Sequence, residues 1–144
     1  MKLQSVNTVA VKNPPKWRLH IMRALFFLNF ISVGFDNWSK VLFPEEQLDL
    51  MTGVAVSFWA GFALLNLIGV RFPLKMLPIL MLQLLYKSGW ILGTYLPAKS
   101  SGLLDAGLKE FFWICIAGIV LNLFIIPWGY VYREYLKNFF NFKK

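Results

Sequence analysis

The sequence predicts an all-α membrane protein, a single domain over residues 1–144 built as a bundle of four transmembrane helices with both termini cytoplasmic. Three observations predict it. Hydrophobic residues make up 58% of the chain and charged residues 15%, where a soluble domain carries roughly 25% charge. Four stretches approach the about 20 apolar residues that a helix needs to cross roughly 30 Å of hydrocarbon. The 15 Lys and Arg residues fall mostly on one side of those stretches. A disordered chain has the opposite composition, and a single cysteine excludes a disulfide scaffold.

The first helix, about 19–42, is uncharged only from Ala24 to Phe35, between Arg23 on one side and Asp36 and Lys40 on the other. Phe43-Pro44-Glu45-Glu46 breaks it. The second, about 50–70, carries no charge, and Gly69-Val70-Arg71-Phe72-Pro73 leaves room only for a tight turn. The third, about 72–95, is apolar except for Lys75 near its start and Lys87 near its middle. Pro97 ends it, and Lys99-Ser100-Ser101-Gly102 reads as a loop. The fourth, about 111–132, is again uncharged. Pro78 and Pro127 fall inside helices, where neighbouring groups can satisfy the freed carbonyl and a kink is expected.

Charge sets the orientation. Lys2, Lys12, Lys16, Arg18 and Arg23 precede the first span, Arg71 and Lys75 lie between the second and third, and Arg133, Lys137, Lys143 and Lys144 follow the fourth, 11 of the 15 basic residues. The opposite side holds Lys40, Lys99 and Lys109 beside Glu45, Glu46, Asp49, Asp105 and Glu110. Trp17, Trp128, Tyr130 and Tyr132 mark one interface and Trp38, Tyr95 and Trp113 the other. Cleavage of the first segment as a signal peptide at Ser32-Val33-Gly34 would leave three spans and put the basic tail outside, against the charge rule. The net charge of +8 does not predict nucleic-acid binding, because the basic residues flank spans and meet lipid headgroups. The lipid bilayer is the first expected partner.

A charge at the centre of a span costs about 2.5–3.5 kcal/mol on insertion scales. Lys87 divides its span into two uncharged halves of 11 residues, Met76–Tyr86 and Ser88–Ala98. Gln83, Lys87, Trp90 and Thr94 share one helix face, as do Asn29, Val33, Asp36 and Lys40 on the first span. The second span offers Thr52, Val56, Trp59, Ala63 and Asn66 at the same spacing, and the fourth offers Phe111, Cys115, Gly118, Asn122 and Gly129. Four such faces turned together predict a bundle with a polar interior. Counted from the expected ends of their spans, Asp36 and Lys87 differ in depth by only about 3 Å. The sequence therefore predicts a buried Asp36–Lys87 ion pair, with Gln83, Asn29 and Asn122 completing its hydrogen bonds and Asn66 on the second span's polar face. Trp59 and Trp90 would form a cation–π wall for Lys87. Such a cluster either fixes helix register or lines the path of an ion or ligand.

Other residues carry less. His20 is the only histidine, which excludes bis-His haem ligation or a multi-His metal site within the chain, and no metal ligands are assigned. Cys115 reads as a small packing residue. Gly89 and Gly93 form a GxxxG on the side of the third span opposite Lys87, suited to contact with another helix or a second copy. No phosphate loop, nucleophile elbow or metalloprotease helix occurs, and no cofactor is identified.

The stretch Arg23-Ala-Leu-Phe-Phe-Leu-Asn-Phe-Ile-Ser-Val-Gly34, followed by Lys40-Val-Leu, resembles the first-helix pattern of DoxX-like proteins over fewer than 20 of the 144 residues. Asp36 and Asn37 stand where that pattern stays apolar. The resemblance implies a four-helix protein of a bacterial inner membrane, associated with redox or quinone-linked complexes. Three functions follow as expectations. The leading one is an accessory or assembly subunit of a membrane complex, since short loops leave no soluble domain to hold a site. The alternative is a small homo-oligomeric transporter or channel with Asp36 and Lys87 along its path. Small multidrug exporters have similar dimensions, but they carry a Glu in the first span that is lacking here. The third is an enzyme acting on a lipid or quinone through rim carboxylates Glu110, Asp105 or Asp49.

Overall fold

The computed structural model describes residues 13–137, and among them all regular structure is helical. In chain order these are α1 (Lys16–Leu42), α2 (Leu50–Arg71), α3 (Leu77–Trp90), a π-helical segment (Ile91–Tyr95), α4 (Leu96–Ser100), α5 (Ala106–Ile125), α6 (Trp128–Val131) and a second π-helical segment (Tyr132–Lys137). By length and composition, α1, α2 and α5 are each able to cross a membrane.

Prolines punctuate the chain. The residue before a proline is driven out of the α region by contact with the ring. Phe43, before Pro44, ends α1 at φ −134°, ψ 66°, and Phe72, before Pro73, ends α2 at φ −125°, ψ 64°. Ile126, before Pro127, becomes extended at φ −60°, ψ 123° and ends α5. The expected fourth helix at 111–132 is therefore shifted: it starts earlier, at Ala106, and ends at Ile125, so Gly129 does not continue its polar face.

Pro78 and Pro97 sit in the first turns of α3 and α4. Pro97 does not end the third helix, as its sequence context suggested. Backbone angles stay helical through Trp90, Ile91, Tyr95 and Leu96. The segments 77–90, 91–95 and 96–100 therefore form one rod, roughly 36 Å long at 1.5 Å per residue. The π turn explains the continuity. Pro97 has no N–H for the carbonyl one turn back and its ring crowds that turn. Widening the turn lets the Leu96 N–H reach the Ile91 carbonyl instead.

Two antiparallel hairpins result. In the first, Phe26 meets Gly69, Asn29 meets Asn66, and Trp38 donates its indole N–H to the Ala60 carbonyl at 3.0 Å. In the second, Gln83 meets Asn122, and Trp90 lies edge-on to Phe111 with centroids 4.6 Å apart. The hairpins share one apolar core at the end nearer the termini: Met22, Leu25 and Phe26 of α1, Leu77 and Leu80 of α3, Ile125 and Ile126, and Val131 of α6. Gly69 is required there, since a Cβ would come within 2.5 Å of the buried Phe26 ring. Gly69→Ala is expected to lower stability by about 1–3 kcal/mol through overpacking, and Phe26→Leu in the same chain should restore part of the loss in detergent thermal melts.

Two aspartates start helices. Asp49 accepts hydrogen bonds from the Met51 and Thr52 N–H groups at 3.0 and 3.2 Å, and Asp105 accepts from the Leu108 N–H at 2.7 Å. Hydrogen bonds from the Thr52 side chain and backbone hold the Asp49 carboxyl below its ordinary value of 3.8. A depressed carboxyl stabilises the fold above its unfolded value and loses that contribution as pH falls through the folded one. The protection of the Met51 and Thr52 amides against hydrogen exchange, relative to the intrinsic rate at each pH, is therefore expected to fall below about pH 4, and Asp49→Asn should keep the cap while flattening the pH response.

A buried amide belt and an unpaired lysine

Four carboxamides from four helices meet in the interior. Asn29 of α1 and Gln83 of α3 bond reciprocally: Asn29 Nδ2 donates to Gln83 Oε1 at 3.1 Å, and Gln83 Nε2 donates to Asn29 Oδ1 at 2.9 Å. Asn29 Nδ2 also donates to Asn66 Oδ1 of α2 at 3.2 Å. Asn122 Nδ2 of α5 donates to Gln83 Oε1 at 3.1 Å, which fills both acceptor sites of that oxygen. Asn66 donates on to the Phe62 carbonyl at 2.8 Å. All four side chains are buried, and only Asn122 Oδ1 is left without a hydrogen-bond partner among them. The belt ties the two hairpins together where the Cα frames of α1 and α3 do not approach closely.

Lys87 lies one turn from Gln83, at 6% exposure. Its Nζ rests over Gly118, in the space that a Cβ at that position would fill. Gly118 is in turn one helical turn from Asn122, so the lysine and its notch are set by the same register as the belt. No hydrogen bond or ion pair to Lys87 occurs among the described residues. Cys115, free and buried, shares this face of α5.

The expected Asp36–Lys87 pair does not form. Asp36 pairs with Lys40 on its own helix at 2.7 Å, and the two side chains are 63% and 50% exposed. The reason is where the two side chains turn. From the Asn29–Gln83 contact Asp36 and Lys87 lie about 10.5 and 6 Å further along their helices, but Asp36 is exposed with Lys40 one turn away, while the Lys87 amine turns onto Gly118 of α5. Gln83, Asn29, Asn122 and Asn66 come together without either charge. The expected tryptophan wall is also absent: Trp59 packs on Tyr86 with centroids 4.8 Å apart, Trp90 packs on Phe111, and the aromatic ring near the Lys87 amine is that of Tyr86, at 6.0 Å. Gly89 and Gly93 meet no other helix among the described residues, since nothing lies within 4 Å of a Cβ built at either. An exposed i,i+4 pair contributes about 0.3–0.5 kcal/mol. Asp36→Asn should therefore change stability little, and its effect should add to that of Lys87→Met without coupling in a double-mutant cycle.

Beyond the belt, toward the 43–49 and 101–105 loops, the faces that carry the amides are not closed over. Asp36 and Lys40 of α1, Thr52 and Ala55 of α2, Thr94 and Phe111 continue those faces and are exposed. The rim carboxylates divide: Asp49 and Asp105 cap helices, while Glu110 lies exposed in α5. Gly118 was visible in the sequence as part of a polar face. Its role as the lysine's notch was not, because that depends on which residue of α3 lies opposite.

Compared with known protein families, with curated proteins and with solved structures, the chain matches none.

Proposed function

We propose that this chain crosses the membrane four times, with the 77–100 rod as the third crossing and both termini cytoplasmic. We read it as an accessory or assembly subunit of a membrane complex in a bacterial inner membrane, in keeping with the resemblance of its first helix to DoxX-like proteins. One observation carries the reading: the exposed inward faces beyond the amide belt. In hydrocarbon, Asp36, Lys40 and Thr94 need a polar or protein neighbour, and among the described residues Asp36 and Lys40 supply one only to each other. A helix of a partner protein seated between the hairpins would cover these groups and bring a counter-charge toward Lys87.

The test is native mass spectrometry of the chain extracted from its own membrane in mild detergent. A stoichiometric foreign chain is the expected result, and a photo-crosslinker at Thr94 should capture that same chain. A lone monomer overturns the proposal.

The second reading, a small homo-oligomeric transporter, is favoured by the buried Lys87 having no counter-ion. It predicts a bare homo-oligomer in the same experiment, and loss of transport without loss of folding in Lys87→Met.

A further inference from the structure

At the end of the bundle that holds the apolar core, three cations from three segments face one cavity of about 230 Å³: Arg23 of α1, Arg71 in the last turn of α2, and Lys75 in the turn before α3. The Phe72 ring organises two of them, with the Arg71 guanidinium 5.7 Å and the Lys75 amine 5.4 Å from its centroid. The Arg23 Nε is buried and has no hydrogen-bond partner. No carboxylate lines the cavity among the described residues. The chain's seven Asp and Glu residues are Asp36, Glu45, Glu46, Asp49, Asp105, Glu110 and Glu134. Of these only Glu134 is at this end, and it forms no ion pair among the described residues. Arg71 is partly accounted for by the negative C-terminal end of α2, but Arg23 and Lys75 are not.

Three like charges gathered with a buried, unused donor call for an anion. Leu19, Leu74 and Phe72 make the rest of the wall apolar, and the site lies where α1 begins, α2 ends and α3 begins. That combination of a cationic floor, an apolar wall and a position at the ends of the spans fits the phosphate and first acyl carbons of a lipid better than a free ion. We infer that Arg23, Arg71 and Lys75 form a binding site for the phosphate of one anionic phospholipid, from the leaflet that meets this end of the bundle. The inference rests on the membrane reading above.

The test is native mass spectrometry of the full chain titrated with phosphatidylglycerol or phosphatidylcholine. Arg71→Gln/Lys75→Gln removes two exposed charges of the site, and Lys16→Gln/Lys137→Gln removes two exposed charges at the same end outside it. One tightly held phosphatidylglycerol per chain is expected, preferred at least about tenfold over phosphatidylcholine. The preference should be lost in the first variant and kept in the second. Equal loss in both variants would mean diffuse attraction and overturn the site, as would no preference in the unmodified chain. Displacement of the lipid by inorganic phosphate would identify a free-anion site and overturn the lipid assignment. Carbonate extraction separates the two levels: a chain released from membranes refutes the membrane reading, whereas a retained chain without lipid preference refutes the site alone.

Discussion

Replacing Gln83 by Leu is expected to destabilise the bundle by about 2–4 kcal/mol, more than any other single change in the belt. Gln83 is the hub: it gives Asn29 both a donor and an acceptor and gives Asn122 its acceptor. Its loss breaks three hydrogen bonds and strands two buried polar groups, Asn29 Oδ1 and Asn122 Nδ2, since Asn29 Nδ2 keeps Asn66. Each stranded group costs roughly 1–3 kcal/mol in a water-soluble core. The sum is reduced in a bilayer, where the unfolded helices also find partners and measured interhelical bonds average about 0.6 kcal/mol. Asn122→Leu should be far milder. It removes an oxygen that has no partner and leaves Gln83 Oε1 still bonded to Asn29. Unfolding in mixed detergent, followed by tryptophan fluorescence, checks the order. An Asn122 variant as damaged as the Gln83 variant would mean that the belt does not act through these bonds.

Lys87→Met is expected to raise stability. The lysine is buried without a counter-ion, and a lone charge at the centre of a span costs about 2.5–3.5 kcal/mol on insertion scales, while methionine has similar length and fills irregular space. Gly118→Ala should act in the opposite direction, because its Cβ would occupy the place of the Lys87 amine. Overpacking at such a contact costs about 1–3 kcal/mol. In the double variant the flexible methionine can turn aside, so much of the Gly118→Ala penalty should vanish. Thermal melts of the two single variants and the double variant in one detergent measure this coupling. A Lys87→Met chain that is more stable yet fails in the cell would identify the lysine as kept for function at a cost in stability. A less stable one would make it structural.

How the site came together explains what could be read in advance. Asn29, Asn66, Gln83 and Asn122 were legible as inward groups because a polar residue in an apolar helix has few places to go, and helical spacing gives its face. The end of the third helix, from which the depth of Lys87 was counted, was misplaced just before Pro97. Leu96 keeps α angles before that proline, and the π turn absorbs the missing bond. Spacing alone carries no sign of such a turn. The same local rule succeeded at Phe43, and at Ile126 it overrode the expectation that a neighbouring group would carry the helix through Pro127. At Pro97 the turn before the proline is packed on another helix. Tyr95, stacked on Phe112 with centroids 4.1 Å apart, is held in this way.

By itself the sequence determined the all-helical class, the apolar helices, the basic residues gathered in the segments that flank them, and the four amides turned inward. These depend on composition, period and proline chemistry, which act within a few residues. Only the tertiary structure decided that the amides close a belt without Asp36, that Lys87 lies unpaired in a notch made by Gly118, and that the faces beyond it stay open. Those outcomes depend on the register of one helix against another. A shift of a single turn, about 5.4 Å, would have given Lys87 a different neighbour from the same sequence pattern.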